Sequence, residues 1–150
     1  MDQIPFGPQL VGETEKALDA LLRRELAPTG LTPRHWVTLR LALQRDGVRD
    51  GGALGARSPD DGTGLAEHVI ARAHLDDAPR LVGDLRAAGL LDGDEPTCAG
   101  RDLVDVVQAR VRAVVGPVLA DLPPADAAAA ARALDALRAG VRRALAAAAT

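Results

Sequence analysis

Residues 65–89 constrain the fold of this chain more than any other stretch. Leu65, Val69 and Ile70 mark the apolar side of a short helix that ends near Ala73. His74-Leu75 leaves space for only a tight connection. A second short helix is expected from Asp76 or Asp77 to Ala88, with Gly89 as its C-terminal stop. Two short helices about a tight turn make a helix-turn-helix. Beyond it, Asp92-Gly93-Asp94-Glu95 separate Leu91 from Pro96, and Ala99-Gly100-Arg101 opens a long apolar helix. Four residues are too few for two useful strands and a turn, so a hairpin here is expected to be reduced or absent.

The flanking segments also read as helices. Leu10, Thr14, Ala17, Leu18, Leu21 and Leu22 keep helical spacing through residues 9–26, and Pro28-Thr29-Gly30 stops that helix. Thr32-Pro33 supplies an N-cap hydroxyl and a proline at the first helical position. The helix it starts carries Trp36, Leu39 and Leu43 on one stripe and is expected to end at Asp46-Gly47. The glycine-rich stretch 47–64 reads as a long loop. From Gly100 to about Leu119, residues Leu103, Val106, Val107, Val111, Val114, Val115 and Val118 hold the helical period, with a bend expected at Gly116-Pro117. A last helix follows Leu122-Pro123-Pro124 and carries Leu134, Leu137, Val141 and Leu145. With no tyrosine, one Phe and one Trp, the core must be aliphatic, and the class is mostly α.

At 150 residues the chain has the size of a single domain, 1–150. Its net charge of −3 does not mark a strongly basic nucleic-acid binder, although a local arginine patch suffices for contact. The lone Cys98 has no disulfide partner within the chain and reads as an unreactive thiol. His68 and His74 straddle a turn and do not share a helical face, so no metal site is expected. No basic leader precedes an apolar run, and no segment is long enough to span a bilayer; a cytoplasmic protein with no membrane partner is expected. Glycines 51, 52, 55, 62 and 64 follow no phosphate-loop pattern, and no cofactor is expected.

The element order and four local stretches resemble the MarR family of winged helix-turn-helix transcriptional regulators. Gly7-Pro8-Gln9-Leu10 through Leu26 is similar to that family's first dimerisation helix. Gly30-Leu31-Thr32-Pro33-Arg34-His35-Trp36-Val37-Thr38-Leu39 resembles its second helix, and Arg80-Leu81-Val82-Gly83-Asp84-Leu85-Arg86-Ala87-Ala88-Gly89-Leu90 resembles the end of its recognition helix. Thr97-Cys98-Ala99-Gly100-Arg101 is similar to the start of its fifth helix. The resemblance implies a winged helix-turn-helix, with the helix-turn-helix over about 65–89 and the wing that follows it reduced or absent. It also implies a homodimer built from the terminal helices (about 9–26 and 100–147), double-stranded DNA as partner, and a small-ligand crevice beside the dimerisation region.

Particular residues then acquire expected roles. Arg72, Asp77 and Arg80 fall on the helix-turn-helix face that meets DNA, and Arg57, with Arg45 and Arg49, could extend that face from the loop. The family places small hydroxyl residues in the first turns of the recognition helix. Here Asp77 and Pro79 stand there with Asp76 just before, and a carboxylate repels phosphates. The bland reading of the aspartates is that one caps the helix; that of Arg86 is a solvated residue pairing within its own helix. Phe6, Gln9, Glu13, His35, Trp36 and Arg40 are the candidates for a crevice that takes a small apolar or aromatic molecule. Against this, a lone Trp on an apolar stripe is ordinarily core, and His35 ordinarily lies at the surface.

Three functions stay open at this point. One is a ligand-responsive regulator that binds DNA as a dimer. Another is a protein of the same fold that has lost DNA binding and binds, sequesters or transforms a small molecule, with His35 and Glu13 as candidates for proton transfer. The last is a dimerisation partner that inactivates a related regulator.

Overall fold

The structure is a computed structural model that describes residues 4–51 and 64–148. In chain order its elements are α1 (Pro8–Leu26), a 3-10 turn (Ala27–Thr29), α2 (Pro33–Gly51), α3 (Leu65–Ala73), α4 (Ala78–Ala87), β1 (Leu91–Asp92), β2 (Glu95–Pro96), α5 (Cys98–Ala120) and α6 (Pro124–Ala148). The chain divides into two units, Met1–Val111 and Arg112–Thr150, with the boundary inside α5. Among the described residues, no helix is long and apolar enough to cross a membrane.

In the first unit, α2 is the central element and packs against α1, α3, α4 and β2. Its Trp36, Leu39 and Ala42 meet Leu65 and Val69 of α3, Val82 and Leu85 of α4, and Val104 and Val107 of α5 in one buried apolar cluster. The stripe predicted on α2 is therefore the core stripe. Thr38 is wholly buried there and spends its hydroxyl on the Arg34 carbonyl one turn back, at 2.9 Å, so no polar group is stranded.

The ends of these helices are set by local chemistry. α4 closes in a Schellman turn: Leu90 N–H reaches the Leu85 carbonyl and Gly89 N–H the Arg86 carbonyl, each at 2.9 Å, with Gly89 at φ 72°. Leu85 and Leu90 are both buried, giving the apolar contact that accompanies this motif. Thr97 caps α5. Its hydroxyl accepts the Gly100 N–H at 3.1 Å and donates to the Gly89 carbonyl at 2.7 Å, tying the start of α5 to the end of α4. Gly100 is required by close approach: a Cβ there would lie 2.3 Å from the Leu90 carbonyl oxygen. Between α3 and α4 the turn places His74 in the left-handed region, at φ 54°.

One expectation needs correction. The second helix does not end at Asp46-Gly47 but runs on to Gly51, and residues 52–63 of the expected loop lie outside the described residues. A helical glycine costs only about 1 kcal/mol relative to alanine, and Asp46 is held by Arg101 of α5 at 2.5 Å. The hairpin is present in reduced form: Leu91 pairs with Pro96 and Asp92 with Glu95, around a two-residue loop whose Gly93 takes φ 58°. Leu91 and Pro96 themselves serve as strand residues, which is how so short a stretch closes. α5 runs from Cys98 to Ala120 with Pro117 inside it.

The second unit is built differently. It holds the end of α5 and all of α6, and no described residue of α6 is buried. Val114, Val118, Leu119, Leu122, Leu134, Leu137, Val141 and Leu145 are between 37% and 65% exposed.

Candidate functional site

α4 stands where a recognition helix should, and its polar side repeats acid, base, acid. Asp77, Arg80 and Asp84 are spaced by three and four residues, so they line one face of the helix. Arg80 lies 3.5 Å from Asp77 and 3.7 Å from Asp84, and its side chain is 69% exposed. The cation expected to contact DNA is thus flanked by two carboxylates of its own helix.

The first turn of α2 grips the same face at two points. Arg34 donates to Asp77 Oδ2 at 2.8 Å, and His35 Nε2 lies 3.2 Å from Asp84 Oδ2. On its other side, His35 Nδ1 accepts from Thr32 N–H at 3.3 Å and lies 2.8 Å from Thr32 Oγ1. A ring nitrogen that accepts from a backbone N–H is unprotonated, so the neutral ring carries its proton on Nε2 and donates to Asp84. The His35 side chain is only 13% exposed and links two helices, so the surface reading of this residue is corrected.

Asp77 sits at the N-cap position of α4, yet its side chain makes no capping hydrogen bond. The capping reading is corrected: Oδ2 takes Arg34 and Arg80, while Oδ1 is covered and has no hydrogen-bond partner. Pro79 falls in the first turn of α4, where a backbone donor would have no helical acceptor, so the helix loses nothing by it. Arg72 is exposed in the last turn of α3. Arg45 is half-buried; Arg57 lies outside the described residues, as does the side chain of Arg49.

The reduced wing is tied down by its own acid. Asp94 Oδ2 accepts the Leu65 N–H at 2.8 Å and so serves the open N-terminus of α3. Its Oδ1 accepts from Arg86 at 2.8 Å, and Arg86 Nε donates to the Gly93 carbonyl at 2.7 Å. Arg86 therefore bonds to the hairpin, and the expected pairing within its own helix is corrected. Sequence reasoning missed Arg34, Thr32, Asp84 and Asp94. The acid–base–acid spacing on α4 was a usable signal; the partners on α2 and α3 lie too far away in sequence to leave one.

The ligand candidates are only partly gathered. Trp36 is 7% exposed and belongs to the core, with the Arg40 guanidinium 6.0 Å from its ring centroid. Gln9 donates to Glu13 across one turn of α1 at 3.0 Å, and both are exposed, as is Phe6. His35 is engaged with Thr32 and Asp84. The two residues considered for proton transfer, His35 and Glu13, are thus each bonded to other groups.

Comparison with known proteins gives one informative match. The crystal structure of CouR from Rhodococcus jostii RHA1, bound to p-coumaroyl-CoA, is similar to this chain with a TM-score of 0.61 and 25% identity, covering 85% of this chain and 88% of that one. The fold is accordingly a MarR-like winged helix with a reduced wing. No family model matches the chain, and no curated protein matches it.

Proposed function

We propose that this protein is a ligand-responsive transcriptional regulator of the MarR type that binds DNA as a homodimer. The observation that carries the reading is the double tie from the first turn of α2 to α4, on a fold similar to the ligand-bound CouR structure. Arg34 holds Asp77 at the start of α4, and His35 holds Asp84 two turns further on. A ligand that displaces the N-terminal part of α2 moves the recognition helix with it. If the two positions of α4 differ in DNA affinity, ligand and DNA are coupled in both directions.

Dimerisation is supported by the apolar side chains of the second unit. Covering a half-exposed Leu or Val gains about 1 kcal/mol. Eight such residues from each of two copies contribute roughly 16 kcal/mol, against an association cost of about 4–15 kcal/mol. The ligand is a small apolar or aromatic molecule; the molecule in the CouR structure carries an aromatic acyl group on coenzyme A. The candidates for its site are Trp36, which lies in the core, with His35 and Arg40 beside it on α2, and Phe6, Gln9 and Glu13, which are exposed. The test is to titrate p-coumaroyl-CoA, as a probe of the class, into a complex of the protein with DNA from around its own coding region. A shift of the DNA midpoint by fivefold or more, as expected for a coupling of about 1–3 kcal/mol, supports the reading; tight DNA binding indifferent to every aromatic acyl thioester contradicts it.

A second reading has its own observation. Arg34, Arg80 and Arg86 all face carboxylates within the chain, and the wing carries Asp92, Asp94 and Glu95. A face neutralised in this way suits a protein of this fold that keeps the crevice and has lost DNA.

A further inference from the structure

The apolar face of α6 carries a size pattern as well as a helical period. Ala127, Ala130, Leu134, Leu137, Val141 and Leu145 fall three and four residues apart and share one stripe about 27 Å long. Its first third is small and the rest is large, and all four large side chains are exposed. Among the described residues of α6, only Ala133 and Gly140 are half-buried, and they lie about a quarter turn around the helix from the stripe. The stripe is therefore not the side that α6 turns toward its own chain. One edge of it also carries charge: Asp135 and Arg138 sit there, joined at 2.7 Å and both largely exposed.

We infer that α6 pairs antiparallel with α6 of a second copy, in the register that sets Leu134 against Leu137 of the partner subunit, Ala130 against the partner's Val141 and Ala127 against the partner's Leu145. The inference rests on the homodimer of the reading above and adds to it the surface, the direction and the register of the pairing. Antiparallel pairing runs the small third of one stripe along the large end of the other, so that facing layers fill the space between the helices evenly. A parallel pair would set Ala against Ala and Leu against Leu, which leaves a gap at one end and overfills the other. A two-fold axis across the antiparallel pair makes every contact occur twice. It also brings each edge of the stripe beside the same edge of the partner. Asp135 then faces the partner's Arg138, and Arg138 the partner's Asp135, so four charges alternate in sign about the axis. A parallel pair would set this edge against the opposite one, where Ala133, Gly140 and Ala144 carry no charge.

A swap of side-chain size tests the register. Positions 130 and 141 are about 16 Å apart along one helix, so they cannot touch within a chain and any coupling between them crosses to the partner. Sedimentation equilibrium gives the dimer Kd of the full-length protein for wild type, Ala130→Leu, Val141→Ala and the double variant, each checked for helical content by circular dichroism. Ala130→Leu overfills the two symmetric contacts and Val141→Ala empties them, and each is expected to weaken the dimer about tenfold. The double variant exchanges large for small across the interface and is expected to return to within about threefold of wild type. If the wild type dimerises but the double variant is no tighter than the single ones, or the single variants are as tight as wild type, the pairing is overturned and the homodimer stands. A folded wild type that stays monomeric at every concentration overturns the homodimer and the pairing with it.

Discussion

The two units of this chain solve the problem of apolar surface in opposite ways. In Met1–Val111, α2, α3, α4, the hairpin and the first turns of α5 cover Leu39, Leu65, Val69, Leu85 and Val107 completely. Side-chain bonds then lock the joints, with Thr97 on Gly89, Asp94 on Leu65 and Asp46 on Arg101. In Arg112–Thr150, Val114, Val118, Leu137 and Val141 keep helical spacing yet stay exposed. The first unit has a closed core in a single copy, although Phe6, Leu18, Ile70 and Val106 stay exposed, whereas the second has the pattern of a buried surface without the burial. A MarR-like chain can therefore lose polar contacts to DNA while its lobe stays folded, because the residues that fold the lobe are not those that would touch phosphates.

The contrast can be broken most severely at Leu39. Leu39→Ala removes a fully buried side chain at the meeting point of α2 and α5, and is expected to cost about 2–5 kcal/mol. In thermal denaturation that appears as a fall in Tm of about ten degrees or more; a fall of under two degrees would show that the lobe is not packed as described. Gly100→Ala comes next. Its Cβ would meet the Leu90 carbonyl at 2.3 Å, and the backbone shift needed is expected to cost about 1–3 kcal/mol, even though alanine is the better helix former. A neutral or stabilising result in urea denaturation would remove the close approach of α5 to the hairpin.

The mildest change to the lobe should come from the other unit. Leu137→Asp combined with Val141→Asp is expected to convert the proposed dimer into monomers in sedimentation velocity. Trp36 is the single tryptophan and lies in the core of the first unit, so its emission reports on the lobe alone. That emission should stay blue-shifted in the monomeric variant. A red shift would mean that the lobe depends on the second unit after all.

These regions also differ in how well the sequence revealed them. Local signals located most of the lobe. Thr32-Pro33 opened α2, Gly89 closed α4, and the period of Leu65, Val69 and Ile70 marked α3. Asp46-Gly47 misled, because a helix already held by tertiary contacts tolerates residues that would end an isolated one. The hairpin was underestimated because Leu91 and Pro96 were counted as flanks when they are its strands. At the candidate site the arginines and aspartates were visible but their pairing was not. Arg34 meets Asp77 across 43 positions and His35 meets Asp84 across 49, and only the packing of α2 on α4 brings them together. The expected ligand crevice was read from residue type and resemblance; its most conspicuous member, Trp36, proved to be core.

The most direct test of the account is the affinity of the purified protein for DNA from around its own coding region, measured across a salt series at constant pH. The account predicts sub-micromolar binding at low salt with sequence preference, and a salt slope shallower than that of a protein making roughly six to ten phosphate contacts, because Arg34, Arg80 and Arg86 begin paired with carboxylates. A folded dimer that does not bind that DNA even at about 50 mM salt would contradict it and leave the fold serving a small molecule alone.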